Sequence, residues 1–92
     1  MLEKRNFYIN GKWVEPKNKK DIQVINPATE KSCAVISLGG KEDVHDAVTS
    51  AKEAFKTWGY STKEERVSLL ETFYTLYKKR WNDITDAIIQ EM

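Results

Sequence analysis

Cys33 and His45 are the side chains of this sequence best suited to covalent or acid–base chemistry, and each is the only residue of its type. A lone cysteine can form no internal disulfide, which agrees with a reducing compartment. Cys33 lies within the strand-like apolar run 32–37, and buried cysteine in apolar surroundings is normally inert. We therefore expect Cys33 to have no catalytic role.

His45 is predicted to lie beside the apolar stripe of a helix, next to Asp46. No second histidine or cysteine lies at metal-ligand spacing from it. The sequence therefore favours a solvated helix residue over a metal ligand or a general base.

Gly39-Gly40 is the one glycine pair of the chain. It lacks the further glycines and the downstream acidic residue of a dinucleotide-binding fingerprint. A turn from strand to helix explains the pair more simply. The sequence thus predicts no catalytic residue and no cofactor-binding residue.

The charge balance argues against several classes of partner. Fifteen basic and fourteen acidic side chains give a net charge of +1, which offers no electrostatic reason to bind nucleic acid or an anionic membrane. Lys17, Lys19 and Lys20 are expected to be solvated in a polar connection, and Trp58 and Trp81 to pack in a core rather than stack on bases. No apolar run is long enough to span a bilayer and no secretion signal is evident, so we expect a cytoplasmic location.

The first forty residues predict two β-hairpins. Asn10-Gly11 best tolerates the positive φ that a two-residue hairpin turn requires, and aromatic and β-branched residues flank it. A second pair of strand-like runs is joined by a longer polar loop. The four predicted strands are residues 6–9, 12–15, 22–25 and 32–37.

From Lys41 onward, apolar residues recur at spacings of three and four, which predicts helices. The first carries a stripe from Val44 to Trp58, and Gly59 suits its carboxyl end. A second begins near Thr62, where a glutamate three residues later completes a capping box.

A third, shorter helix is predicted around residues 84–89. Either it starts afresh at Asn82-Asp83 or it continues the second helix across a kink. The predicted fold class is α+β, with two β-hairpins followed by two or three antiparallel α-helices. We divide the chain at residues 1–40 and 41–92, which together form one partial domain.

Four segments, in this order, resemble the amino-terminal segment of aldehyde dehydrogenases. Phe7–Val14 is similar to the opening of that family, and Val24–Glu30 to its second landmark, an extended run into Asn-Pro-Ala-Thr. Asp43–Trp58 looks like its first helix, and Glu65–Leu70 with Ile88–Met92 like the next helices. The specific signal is the joint order and spacing of these segments, which cover nearly the whole chain.

This resemblance implies a longer parent enzyme of aldehyde-dehydrogenase-like α/β fold, which oxidises an aldehyde to a carboxylic acid with NAD or NADP. In that family a cysteine attacks the aldehyde, hydride passes to the nicotinamide, and a glutamate activates the water that hydrolyses the thioester. None of these residues has a matching position in this sequence. The resemblance also implies a homo-oligomer whose helices pack on the cofactor-binding domain.

Some family members bind a monovalent cation partly through backbone carbonyls just before the Asn-Pro pair. The resemblance thus makes Val24 and Ile25 the candidate metal-binding residues, with the other ligands expected beyond Met92.

The chain closes on Gln90-Glu91-Met92 without glycine or proline, so we expect it to be part of a longer polypeptide. The alternative is a stand-alone helical interaction module whose family likeness is a relic. In either case the apolar stripes must be buried against each other or against a partner.

Overall fold

The computed structural model describes all 92 residues, with five short β-strands in the first 37 residues and three α-helices after them. The strands are β1 (Leu2–Lys4), β2 (Phe7–Ile9), β3 (Lys12–Val14), β4 (Asp21–Asn26) and β5 (Lys31–Ser37). The helices are α1 (Lys41–Trp58), α2 (Lys63–Lys79) and α3 (Trp81–Glu91). The predicted fold class is confirmed by this order of elements.

The first hairpin pairs β2 with β3 in antiparallel register, Phe7 opposite Val14. Asn10 has φ 55° and Gly11 φ 72°, which is the left-handed geometry expected of a two-residue hairpin turn. Tyr8 and Trp13 form a cross-strand pair on the outer face, with ring centroids 5.1 Å apart. The predicted hairpin is confirmed.

The second hairpin pairs β4 with β5 and gains a third strand that the sequence did not reveal. The order is β1-β5-β4, and β1 runs parallel to β5 with Leu2 opposite Ala34. A three-residue strand carries too little alternation to be recognised, and its partner lies about thirty residues away in sequence. Ser37 reinforces the join by donating from Oγ to the carbonyl of Arg5 at 2.7 Å.

The start of α2 follows the predicted capping box. The amide of Glu65 donates to Thr62 Oγ1 at 3.1 Å, and the amide of Thr62 donates to Glu65 Oε2 at 3.4 Å. Arg80, at φ −108°, breaks the helical path, so α3 makes a fresh start at Trp81 rather than at Asn82-Asp83. Of the two possibilities for the third helix, the new start is the one observed.

The helices do not pack against one another, since none of the main contacts between elements joins two helices. The main contacts of α1 are with β2, and those of α3 are with β4. The radius of gyration is 16.9 Å, against about 12 Å for a compact domain of this length. The helices therefore extend away from the sheets, and their apolar stripes are exposed to solvent.

Burial in this segment is slight. Three of 92 residues are buried, namely Pro16, Val35 and Asp43. Trp58 and Trp81, expected to pack in a core, are 47% and 59% exposed. The segment carries apolar surface without enclosing a core of its own.

Candidate functional site

The strand pair β4–β5 is irregular at the candidate cation ligands. Val24 pairs with Ala34 and Ile25 with Ser32, so Cys33 has no partner across the ladder. One extra residue in one strand is a β-bulge, which bends the strand and locally disrupts the ladder. The interruption falls between Val24 and Ile25, the two residues that the resemblance singled out.

Cys33 lies at this bulge with its side chain half-buried. Its thiol Sγ is 3.5 Å from the carbonyl oxygen of Val24, to which it donates. His45, the other candidate for chemistry, is exposed on α1 in a surface groove with Lys41 and Asp46. The contact of Cys33 is thus with a backbone carbonyl and not with a side chain that acts as a base.

The donor chemistry of the bulge fits part of a monovalent cation site. Backbone carbonyls are hard oxygen ligands of the kind that alkali and alkaline-earth ions prefer. Val24 and Ile25 would contribute two of them. No group of three or more histidine, cysteine, aspartate or glutamate side chains is arranged to hold a metal ion. The assignment of these two carbonyls to a cation remains a prediction.

The turn from β5 into α1 is organised by Asp43. Its Oδ2 accepts from the amide of Gly40 at 3.0 Å, and its Oδ1 accepts from the amide of Lys17 at 3.1 Å. The carboxylate therefore occupies the amino end of α1 and connects it to the segment that follows β3. Asp43 is 5% exposed, the most buried polar side chain of the chain.

The hydrogen bond from the Gly40 amide to Asp43 affects whether Gly39-Gly40 could bind a phosphate. Gly40 is extended, at φ −97° and ψ 179°, and its amide is already engaged by Asp43. A phosphate cradle at a helix amino end needs free amides and an environment without negative charge. These residues therefore do not fit a nucleotide pyrophosphate, and Gly39-Gly40 serves the strand-to-helix turn.

A groove of about 430 Å³ lies between the first hairpin and α1. Ser50 Oγ donates to Asn10 Oδ1 at 3.3 Å across it, and Lys17 Nζ lies 3.9 Å from an oxygen of Asp46. Apart from the buried Asp43, its charged side chains are exposed, and the Ser50 hydroxyl contacts an amide oxygen rather than a base. The groove is part of the junction where the first hairpin contacts α1.

Arg5 fixes the start of the chain to the sheet. Its guanidinium donates to Asp21 at 2.9 Å and lies 3.0 Å from Glu3. The hydrogen bond to Asp21, followed by the one to Glu3, raises the pKa of Arg5 above its usual value. Because arginine is already charged at neutral pH, the shift leaves its charge unchanged, and the role of the pair is positional.

The sequence analysis did not identify Asp43 as the residue that organises the start of α1. The available signal was local, since an aspartate three residues after a helix cap often reaches back to the cap amide. The bond to Lys17 had no such signal because the two residues lie 26 positions apart.

None of the three helices combines the length and apolarity that crossing a membrane requires. The exposed stripes are instead amphipathic. On α2 and α3 the rings of Phe73, Tyr77 and Trp81 form a ladder with centroids 6.3 and 5.7 Å apart. Apolar helix faces of this kind normally pack against another protein surface.

Two short sheets followed by three outward-facing helices define a segment of a larger α/β body. The model of the aldehyde dehydrogenase family matches residues 13–92. The chain belongs to the aldehyde dehydrogenase family.

Individual relatives agree with this assignment. A 3-succinoylsemialdehyde-pyridine dehydrogenase of a Pseudomonas species is 44% identical over 92 residues, covering 100% of this chain and 19% of that protein. The crystal structure of an aldehyde dehydrogenase from Bartonella henselae matches with a TM-score of 0.98 and 46% identity, over 100% of this chain and 19% of that one. The chain thus spans about a fifth of the length of the relatives it matches.

Proposed function

We propose that this chain forms the amino-terminal part of an NAD(P)-dependent aldehyde dehydrogenase that oxidises an aldehyde to a carboxylic acid. The observation that supports this most strongly is the match to the Bartonella henselae enzyme, with a TM-score of 0.98 at 46% identity. We call the longer polypeptide that would contain these residues the full-length enzyme.

The role of this segment in that enzyme is structural. Asp43 connects the segment after the first hairpin to α1 by a hydrogen bond. The sheet of β1, β5 and β4 contains the bulge at Cys33. The helices present apolar faces on which the cofactor-binding domain packs. Residues 1–40 and 41–92 act together as one partial domain in this proposal.

The nucleophile, the activating glutamate and the nicotinamide site lie outside these residues. NAD or NADP supplies the hydride acceptor when it is bound. In this segment the amino end of α1 is closed by Asp43, and Cys33 contacts a carbonyl rather than a base. The segment alone is therefore expected to be inactive.

The proposal is tested by mixing the isolated chain, and separately the full-length enzyme, with NAD or NADP and a short aldehyde. Absorbance of the reduced cofactor reports turnover. We expect turnover by the full-length enzyme and none by the isolated chain. Turnover by the isolated chain that disappears in Cys33→Ser would contradict the proposal, as would a full-length enzyme that leaves every aldehyde unoxidised.

The full-length enzyme is proposed to be a cytoplasmic homo-oligomer. The family resemblance supports assembly, and the free thiol of Cys33 in this segment agrees with a reducing compartment. Sedimentation of the full-length enzyme tests the first point. A single-subunit mass at micromolar concentration would remove homo-oligomerisation from the proposal and leave the rest intact.

A further inference from the structure

The turn of the first hairpin contains the only asparagine of this chain that is followed by glycine. In any asparagine the side-chain Cγ can be attacked by the backbone nitrogen of the next residue, which closes a cyclic imide. Ring closure is least hindered where that next residue has no Cβ. The other four asparagines are followed by larger residues, namely Phe7, Lys19, Pro27 and Asp83. Asn10-Gly11 is therefore the position best suited to this reaction.

Both reacting groups are accessible in the folded hairpin. Asn10 and Gly11 are exposed, and the backbone N–H of Gly11 donates to no acceptor. Nothing lies within 4 Å of the point that a Cβ on Gly11 would occupy, so the approach to its nitrogen is open. The strand ladder ends beside the turn, at the pair of Ile9 and Lys12. Rotation of the peptide plane between the two turn residues, which ring closure requires, therefore breaks no backbone hydrogen bond.

The side chain of Asn10 has a single contact, and it is made through the oxygen. Ser50 Oγ donates to Asn10 Oδ1 at 3.3 Å, which is long for a hydroxyl donor. The contact does not involve the side-chain nitrogen, which is the group that departs in the reaction. A donor to this oxygen also stabilises the negative charge that develops there when a nucleophile adds to Cγ. The contact with α1 is therefore compatible with ring closure.

We propose that Asn10 is a site of spontaneous deamidation by water, through a cyclic imide formed with the backbone nitrogen of Gly11. The inference concerns a chemical modification of the polypeptide and does not depend on the proposed function. It requires only water and a base, because the chain itself supplies both the nucleophile and the carbonyl that it attacks.

The reaction has two steps. In the first, hydroxide removes the proton of the Gly11 nitrogen, which attacks Cγ of Asn10; the new C–N bond forms, the bond to the side-chain nitrogen breaks, and ammonia leaves. In the second, water opens the imide. Opening at Cγ gives aspartate, and opening at the main-chain carbonyl gives isoaspartate, in which the chain continues through the former side chain. Overall an amide and water become a carboxylic acid and ammonia, without oxidation or reduction.

The isoaspartate product is expected to disturb the hairpin. It inserts a methylene group into the main chain of a two-residue turn, and the length of that turn fixes the register of β2 on β3. This register places Tyr8 opposite Trp13, with ring centroids 5.1 Å apart. Both products also add a carboxylate to the groove that already holds Asp46 and Glu53. Deamidation should therefore weaken the hairpin and its junction with α1.

The experiment is peptide mapping of the full-length enzyme after incubation in mildly alkaline buffer. Trypsin releases residues 6–12 as one peptide, which contains both Asn10 and the internal control Asn6. Fragment spectra should assign the mass gain of amide-to-acid conversion to Asn10, at a rate at least about tenfold above that of Asn6, which precedes a residue with a Cβ. An isoaspartyl methyltransferase should label the same peptide, and the rate should rise with pH because the attacking nitrogen must lose its proton.

The matched variant is Gly11→Asn, which tolerates the positive φ of the turn but places a Cβ beside the attacking nitrogen. It should slow conversion of Asn10 at least about tenfold. An unchanged rate would show that the mass gain does not pass through the imide, and equal rates at Asn10 and Asn6 would also overturn the proposal. So would an Asn10 that stays intact in the native enzyme and is converted in the urea-unfolded enzyme, because the folded turn would then protect it.

The effect on the hairpin is measured by melting the full-length enzyme before and after incubation. Asn10→Gly, which suits the turn and has no side-chain amide, is the control. The incubated parent should melt at a lower temperature than the fresh parent, and the variant should not change. A variant that loses stability as fast as the parent would contradict the effect assigned to isoaspartate.

Discussion

The carboxylate of Asp43 accepts a hydrogen bond from the backbone amide of Lys17, 26 residues earlier in the chain, at 3.1 Å. Its other oxygen accepts from the amide of Gly40 at 3.0 Å. One buried side chain thereby satisfies two backbone donors and joins the first hairpin to the first helix. Leaving buried donors unsatisfied costs more than the net gain of an ordinary hydrogen bond.

We predict that Asp43→Ala in the full-length enzyme loosens the junction between the hairpin and α1. Loss of the acceptor should destabilise it locally by about 1–3 kcal/mol, so that exchange of the Lys17 amide rises about 5- to 150-fold. Hydrogen–deuterium exchange of peptides covering Lys17 and Gly40 measures this. Glu42→Ala, which removes an exposed carboxylate from the same helical turn, is the control. Equal protection in the two variants would contradict the role of Asp43.

Replacing Gly59 by alanine is predicted to cause a steric clash without backbone strain. Its φ is −59°, which any residue adopts, yet an added Cβ would lie 2.6 Å from the carbonyl oxygen of Phe55 and 2.9 Å from its ring. Gly59→Ala should therefore lower the melting temperature of the full-length enzyme, with a local cost of about 1–3 kcal/mol. Adding Phe55→Ala should restore little, because the closest contact is with backbone. Full recovery of the melting temperature in the double variant would show that the clash is with the Phe55 ring and not with the backbone.

Gly11→Ala is the contrasting case. Gly11 has φ +72° and nothing within 4 Å of an added Cβ, so its cost arises from left-handed backbone alone, about 1–2 kcal/mol. We expect a lower melting temperature with no change elsewhere in the segment, whereas Gly11→Asn should be nearly neutral because asparagine tolerates this geometry. If the alanine and asparagine variants melted alike, the turn would not depend on positive φ.

The isolated chain is predicted to fold poorly or to self-associate. Three of 92 residues are buried, and the helices leave wide apolar faces in water. Sedimentation should give species that grow with concentration, and melting should be broad rather than cooperative. A compact monomer with a sharp transition would instead favour a stand-alone helical interaction module.

Cys33→Ser in the full-length enzyme is predicted to leave kcat within about twofold of the parent value, since a half-buried thiol that donates to a backbone carbonyl is not an activated nucleophile. Steady-state rates with a short aldehyde and NAD measure it. A fall of several orders of magnitude would make Cys33 a catalytic residue rather than a structural thiol of the bulge.

The bulge between Val24 and Ile25 predicts where a monovalent cation would bind in the full-length enzyme. Crystals soaked in rubidium should show an anomalous peak within coordination distance of both carbonyl oxygens, because rubidium replaces potassium and scatters strongly. Crystals kept in choline are the control and should show no such peak. A rubidium peak elsewhere, with none at these carbonyls, would remove Val24 and Ile25 as ligands.

Several elements were decided by short stretches of sequence. The turn at Asn10-Gly11 follows from the positive φ that these residues accept, and the start of α2 follows from the reciprocal bonds of Thr62 and Glu65. Both involve residues no more than three positions apart. Such interactions form wherever the sequence occurs, so the pattern alone predicts them.

The remaining features depend on residues that are far apart in sequence. The pairing of β1 with β5, the bond from Lys17 to Asp43 and the extra residue at Cys33 each require two distant stretches to meet in one register. No local propensity encodes that meeting, because closing a long loop costs conformational entropy that only specific contacts between the two stretches offset. Sequence determined the helices and the apolar stripes, but only the tertiary structure decided that those stripes are not buried against each other and remain exposed in this segment.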